Sequence, residues 1–400
     1  MFDIVIIGAG ASGLVTAIVS ARRGKKVLIL EKNSKVGKKL LATGNGRCNI
    51  TNQRPTHNRF YSQNPKFVTQ LLNGYSYQSI KQFFKSIGLE LIESKEGKVF
   101  PMSLQASSVV NLLQSECEQL GVKIRCDAHV KKIVNKKDEY LITYTTGHVN
   151  SLNIVIATGH KSAPALGGVD DGVLFAERFG HRVVESHPSL VQLTSSMPNL
   201  KRIAGVKVEG RVRCGSIERQ GDVLFTSYGL SGLAILDISR DVIERLKKSK
   251  TIKLEIDLMP KMSREQLLSL MRKSLQKKSQ KPLDIWMQGF INRKLILPIL
   301  EPLKLEKQTV GSISSNINLL ETIVSKIKAF EVVVDGSRGY KGAEVATGGV
   351  DTKEINPKTM ESLNNRGLYF TGEVLDVDGD RGGFNLHFAW ICGLRVGESI

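Results

Sequence analysis

The stretch FDIVIIGAGASGLVTAIVSARRGKKVLILE, from Phe2 to Glu31, decides the fold. Phe2–Ile7 is a short apolar run rich in β-branched residues, which reads as a buried parallel strand. Gly8-Ala9-Gly10-Ala11-Ser12-Gly13 follows at once. Leu14–Arg23 then reads as a helix stopped by Gly24, and Lys26–Leu30 as a second strand ending in Glu31. In this spacing Gly8 permits the tight turn, Gly10 lets a pyrophosphate approach the backbone, and Gly13 permits close packing of helix on strand. The helix N-terminus offers free N–H groups and partial positive charge to phosphates. Glu31 can accept hydrogen bonds from an adenosine ribose, and an acid there disfavours a 2′-phosphate, so NADP is not expected at this turn. A glycine turn without a ligand is the bland alternative. The strand before, the helix after and the acid at the next strand end weigh against it.

Working outward, residues 35 to 52 form a basic, Gly-rich loop. Residues 76 to 87 and 103 to 120 read as amphipathic helices, and 122 to 125, 130 to 134, 140 to 144 and 151 to 156 as strands, with Gly147 in a turn. Ile156-Ala157-Thr158-Gly159 is another strand-to-turn junction. Residues 190 to 238 carry short strands and Gly turns. From 241 to 310 the pattern is mostly helical and basic, with 16 Lys/Arg against 8 Asp/Glu, a charge best read as a solvated helical face. After Gly-rich turns, Phe384–Val396 reads as a last helix.

At 400 residues the chain exceeds what one core usually organises, and 41% hydrophobic with 24% charged residues is a globular composition. The net charge of +19 raises nucleic acid, a membrane surface or an anionic small molecule as partners. Five scattered cysteines without a C-x-x-C exclude a disulfide scaffold or zinc ribbon and fit reduced thiols in a cytoplasm. The uncharged run Ile4–Ala21 is interrupted by three glycines and preceded by Asp3, which argues against a signal or a membrane span. No metal site is expected.

Two further segments carry chemistry. Thr43-Gly44-Asn45-Gly46-Arg47-Cys48-Asn49 exposes backbone at its glycines and adds neutral donors and one cation. It can wrap the phosphate or flavin end of a cofactor, and Lys38 and Lys39 can add phosphate contacts or merely be solvated. Near the end, a strand runs into Gly372-Glu373, which can bring a carboxylate to a ribityl or ribose hydroxyl. Gly382-Gly383-Phe384-Asn385 opens a helix whose N–H groups can hold an anion or the N1–C2=O edge of a flavin. With no second G-x-G-x-x-G, this two-ended design suits an extended, noncovalent FAD better than NAD. Cys48, Tyr228, Arg381 and His387 are candidates for catalysis or the site wall, though each alone is more often structural.

These motifs resemble the bacterial NAD(P)/FAD-dependent oxidoreductase flavoproteins, a group that includes aminoacetone oxidase and a 3-dehydro-bile acid Δ4,6-reductase. The matching pieces are GAGASGL (Gly8–Leu14), TGNGRCNITN (Thr43–Asn52), KVFPMSLQASSVVNLL (Lys98–Leu113), VIATGH (Val155–His160), AEVATGGV (Ala343–Val350), TMES (Thr359–Ser362) and GEVLDVDGDRGGFNLHFAW (Gly372–Trp390). The resemblance implies an α/β architecture: a glutathione-reductase-like, FAD-binding Rossmann domain with an inserted β-barrel-like plus helical substrate domain. On this chain the FAD domain would be 1–189 with 341–400. The insert would be 190–340, its β part at about 190–240 and 311–340 and its helical part at about 241–310. It places FAD contacts on Gly8, Gly10, Ala11, Ser12, Gly13, Glu31, Lys32, Lys38, Lys39, Thr43 to Asn49, the backbone near Val130, Ala157, Thr158, Gly159, Gly372, Glu373, Gly383, Phe384, Asn385 and Leu386. Where the family shows FTHxGLSGPA, this chain has Ser227 for the His and Leu233 for the Pro, which puts transfer of a relative's reaction in doubt.

The expected activity is hydride transfer between a small organic substrate and flavin N5, with NADH or NADPH as a transient donor and the insert walling the substrate cavity. Two other classes stand beside it. One is a flavin-dependent RNA-modifying enzyme, favoured by the charge but lacking a recognisable RNA-binding module, so that nucleic acid is the less expected partner. The other is a noncatalytic FAD redox sensor.

Overall fold

The computed structural model describes residues 1–137, 139–275 and 279–400. Strand β1 (Phe2–Ile7) leads through helix α1 (Ala11–Arg22) to strand β2 (Val27–Leu30), and the two strands pair in parallel with Ile4 opposite Val27 and Ile7 opposite Leu30. On its other side β1 pairs in parallel with the strand Gly147–Ile156, which pairs in turn with Leu368–Phe370. Lys123–Arg125 lies outside β2. Ile4, Val5, Ile6, Leu28, Ile29, Ile154, Val155, Ile156 and Phe370 are fully buried. A parallel sheet covered on both faces demands such continuous apolar runs.

Gly147–Ile156 serves two layers. Its first half pairs antiparallel with Glu139–Tyr144, and that strand with Val130–Lys136. Its second half joins the parallel sheet. Five parallel strands therefore end at one edge, where the chain emerges as Gly8, Glu31, Cys126, Ala157 and Thr371. Ligands of doubly wound folds bind at this carboxyl edge. The uncharged run Ile4–Ala21 is β1, the turn and most of α1, and no helix among the described residues is long and apolar enough to cross a membrane.

The final helix, Phe384–Ser399, packs along α1. Glycines set the approach: a Cβ on Gly393 would stand 2.7 Å from the Ser12 carbonyl oxygen, and one on Gly397 2.5 Å from Val19 Cβ. Thr16 Oγ1 donates to Ser12 O at 2.9 Å and to Gly393 O at 3.3 Å. The Trp390 indole donates to Ile50 O at 2.8 Å, tying the same helix to the end of the basic loop.

The chain divides into Met1–Pro188 with Glu344–Ile400 as one unit and Ser189–Ala343 as the other. The second unit carries a seven-stranded sheet. Its terminal strands, Phe330–Val334 and Gly336–Ser337, are separated only by Asp335, so the sheet curls into a barrel-like closure. The expected division within it needs correction. The supposedly helical stretch 241–310 contains the strand Ile252–Asp257, whose alternation turns Leu254 and Ile256 inward. The supposed β stretch 311–340 begins with the helix Ile317–Lys328, which buries Leu320, Ile323, Val324 and Ile327 at helical spacing. The basic loop also differs, holding a short helix at Lys38–Ala42.

Gly397→Val should destabilise the protein by about 1–3 kcal/mol through overpacking against Val19. Urea unfolding measures this, and an unchanged midpoint would contradict the close helix contact.

Candidate functional site

The glycine turn separates packing from binding. Gly8 has φ 107°, and a Cβ there would overlap Ala157 O; a Cβ on Gly13 would overlap Gly8 O. These two glycines hold helix and strands together. Gly10 is different. Its φ of −86° suits any residue, and a Cβ on it meets nothing within 4 Å. It is also the N-cap of α1 and provides no side-chain cap, leaving the N–H groups of Ala11, Ser12 and Gly13 without intrahelical partners. This is a cradle for an anion.

Glu31 is fixed beside that cradle. Its Oε2 accepts the Ala9 N–H at 2.8 Å, and its Oε1 accepts the Asn33 N–H at 2.8 Å and Asn33 Nδ2 at 2.6 Å. The Glu31 backbone exchanges hydrogen bonds with Arg125 O and the Ala128 N–H, which brings the strand beginning at buried Val130 alongside. Lys32 is half-buried and Lys38 exposed.

A second cluster forms where two further strands end. Gly372, at φ 76°, would push a Cβ to 2.8 Å from Ser12 Oγ, so the Gly372-Glu373 turn sits against the first turn of α1. Glu373 Oε2 meets Lys39 Nζ at 2.7 Å, and Oε1 accepts Ser162 Oγ at 2.7 Å and the Ala346 N–H at 3.0 Å. Burial alone would raise the Glu373 carboxyl, but the Lys39 ammonium and these hydrogen bonds outweigh it and hold the group below its ordinary value. Gly159, at φ 68°, follows Ala157 and Thr158 and would bring a Cβ 4.0 Å from Glu373 Oε2.

The loop after Lys39 winds left-handed through Gly44, Asn45 and Gly46, with φ of 58°, 57° and 79°. Thr43 O accepts the N–H groups of Gly46 and Cys48, which closes the loop, while Asn45, Gly46 and Arg47 are exposed. Arg47 lies over the Phe100 ring at 5.0 Å, and Asn49 Oδ1 accepts the Val99 N–H at 3.3 Å. This loop is locked to the start of the final helix. Asn52 Nδ2 donates to Gly382 O at 3.1 Å, Thr51 Oγ1 meets His387 Nδ1 at 2.7 Å, and Gly383, at φ 98°, backs onto Thr51. Gly383 caps that helix without a side-chain bond, so its first-turn N–H groups also lack intrahelical partners.

Several residues have roles that sequence reasoning missed. Asn385 braces its own loop by exchanging hydrogen bonds with Gly379, and Leu386 is half-buried. Arg59 pairs with Asp380 at 2.5 Å and lies 4.4 Å over the buried Phe384 ring, while Tyr61 donates to Asp380 at 2.8 Å. Asn33 and Ser162 lie outside the quoted motifs; Thr51 and Asn52 lie within TGNGRCNITN, but their partners His387 and Gly382, like Glu373 for Ser162, are brought near only by the fold.

The catalytic candidates fare differently. Cys48 is fully buried, and burial pushes its thiol up to about 11, so it is a neutral packing group. His387 is fully buried, and burial pushes it down to about 3. Arg381 is half-buried, its charge favouring ionised Glu96. Tyr228 lies in the other unit, in the turn that exposes Ser227, with Arg338 over its ring at 4.8 Å.

Two uncapped helix N-termini and two fixed acids, Glu31 and Glu373, fit an extended dinucleotide with an anionic middle. The site and fold are those of an FAD-dependent oxidoreductase with a Rossmann-type domain. The family model described as HI0933-like protein Rossmann domain matches residues 2–399, and the chain belongs to that family. It is 33% identical over 401 residues to a 3-dehydro-bile acid delta(4,6)-reductase of Clostridium scindens, covering 98% of each chain. It is 34% identical over 405 residues to a ribosomal RNA dihydrouridine synthase of Haemophilus influenzae, covering 99% of this chain and 98% of the relative. In fold it is similar to 3-ketosteroid-delta4-(5alpha)-dehydrogenase of Rhodococcus jostii, with a TM-score of 0.54 and 15% identity over 100% of this chain and 96% of that one.

Gly10→Val should abolish FAD binding yet leave the urea midpoint of the apoprotein within about 0.5 kcal/mol, since the added side chain meets only the cradle. Glu31→Ala should weaken FAD by about 1–3 kcal/mol. Unchanged FAD affinity in both purified variants would overturn the assignment.

His387 also sets an acid limit. The unfolded chain takes up its proton near the ordinary value of 6.5 whereas the folded one holds out to about 3, so U binds more protons between these values and stability falls as pH falls. His387→Leu should flatten that slope in urea titrations; an unaltered slope would contradict the burial of a neutral imidazole.

Proposed function

We propose that this protein reduces a carbon–carbon double bond conjugated to a carbonyl in a small organic substrate, with NADH or NADPH as the transient electron donor. One observation carries the reading: two relatives similar over nearly the whole chain are named for that chemistry. A 3-keto-4,6-diene and a uracil ring both present a β-carbon that accepts hydride. Bound FAD would supply the hydride at N5. The chain's own residues would hold and tune that group. The first turn of α1 would take the pyrophosphate, Glu31 the ribose, and Glu373 a sugar or ribityl hydroxyl. The N–H groups after Gly383 would stabilise negative charge at the flavin N1–C2=O edge. Cys48 and His387 would exchange no proton near neutrality, because burial keeps each in its neutral form.

A second reading makes the double bond that of a uracil in RNA, and the distribution of charge favours it. The unit Ser189–Ala343 holds 27 Lys/Arg against 15 Asp/Glu. Around its sheet the cations are paired: Arg213 with Glu218, Lys261 with Glu209 and Lys328 with Asp257. On the helical excursion Arg272, Lys273, Lys281, Arg293, Lys304 and Lys307 are exposed, and among the described residues none has an ion-pair partner. Unneutralised cations of this kind give salt-dependent binding to phosphates.

Anaerobic reoxidation of the reduced protein tests both readings. Reoxidation by a 3-keto-4,6-diene steroid and not by ribosomal RNA transcripts supports the first. Reoxidation by the transcripts, with two hydrogens gained by a uridine in mass spectra, assigns the substrate to RNA. A flavin that neither reoxidises would overturn conjugated double-bond reduction.

A further inference from the structure

The basic loop and the Glu373 turn meet at one ion pair, although 334 residues separate its partners in sequence. We infer that Lys39 serves FAD binding through Glu373, as a positioning residue, and not as a phosphate contact. Lys39 Nζ donates to Glu373 Oε2 at 2.7 Å and to Ser162 Oγ at 2.6 Å, and Ser162 Oγ donates onward to Glu373 Oε1 at 2.7 Å. The Ala346 N–H completes the set at 3.0 Å. Both carboxylate oxygens are thus held in place from two sides. The ammonium is committed to the carboxylate end of the site, whereas the turn at Gly10 carries no side-chain cap.

The surrounding charges leave Lys39 in control. His160 and Lys161 stand near Asp170, at 3.8 and 3.6 Å. Burial holds His160 below its ordinary value, and its Nδ1 accepts the Lys161 N–H at 2.8 Å, so the ring adds no charge near neutrality. Lys39 bonds Glu373 directly, whereas Lys161 stands at Asp170. Without Lys39, burial would be opposed by the Ser162 and Ala346 hydrogen bonds without that cation, and the Glu373 carboxyl would shift upward. A protonated carboxyl offers a ligand hydroxyl fewer acceptor sites.

The inference rests on the FAD reading, and its test separates the two. FAD and ADP binding are measured calorimetrically at about pH 5.5 and about pH 8.5, so that an upward shift of the Glu373 carboxyl is read as a pH dependence of FAD affinity. ADP shares the phosphates and adenosine but lacks the ribityl half. Lys39→Met should leave ADP affinity unchanged at both pH values and weaken FAD about tenfold more at the acidic one. Wild-type and Lys39→Arg proteins should show little pH dependence. Lys39→Met combined with Glu373→Gln should bind FAD no more weakly than Glu373→Gln alone. Equal losses of ADP and FAD affinity at both pH values would make Lys39 a phosphate contact and overturn the inference. So would additive losses in the double variant. Wild-type protein that binds neither ligand would sink the FAD site itself, and the inference with it.

Discussion

The molecule depends on the contact between the first turn of α1 and the end of β1, where Gly13 sits against the Gly8 carbonyl with no room for a side chain. That contact fixes the angle at which α1 leaves the sheet and directs its uncapped N-terminus along the carboxyl edge. The final helix then lies on α1 through Gly393 and Gly397, and its own uncapped start at Gly383 is held by Thr51 and Asn52. The two helix N-termini are positioned by close backbone packing, reinforced at Gly383 by the Asn52–Gly382 and Thr51–His387 hydrogen bonds, and glycines occur where the backbones are closest. The one glycine of the turn that packing does not require, Gly10, is the one whose added Cβ would meet nothing within 4 Å.

Electrostatics at this edge follows from fixed donors more than from net charge. Glu31 is held by the N–H groups of Ala9 and Asn33, and Glu373 by Lys39, Ser162 and the Ala346 N–H. Each acid has its orientation set before a ligand hydroxyl arrives, which lowers the ordering cost of binding. The surplus positive charge lies mainly elsewhere, on the unit Ser189–Ala343. In the proposed reading, cofactor binding and any attraction of a polyanion would therefore draw on different residues.

What the sequence revealed was local. The β1–turn–α1–β2 unit and Glu31 were legible because their signals lie within a single supersecondary motif. The Thr43–Asn49 loop and the Gly383 helix start were legible as ligand-type backbone, but the tie between them was not, since Thr51 and His387 are 336 residues apart. Asp380 with Arg59 and Tyr61 was invisible for the same reason. The strand Ile252–Asp257 was hidden because its outward residues, Lys253, Glu255 and Asp257, look like the charged helical segments around it. Cys48 and His387 show the opposite limit: residue type suggested chemistry, while burial, which sequence does not display, keeps both neutral.

The central claim is that one carboxyl edge holds both halves of an FAD without a covalent bond. The most direct measurement is to denature the purified, yellow protein with acid and identify the released flavin by chromatography and mass spectrometry. Quantitative release of FAD is predicted, because in the proposed reading Glu31 and the α1 turn would act on the adenosine diphosphate half. Release of FMN, flavin retained on the polypeptide, or a protein that stays colourless with added FAD would contradict the account.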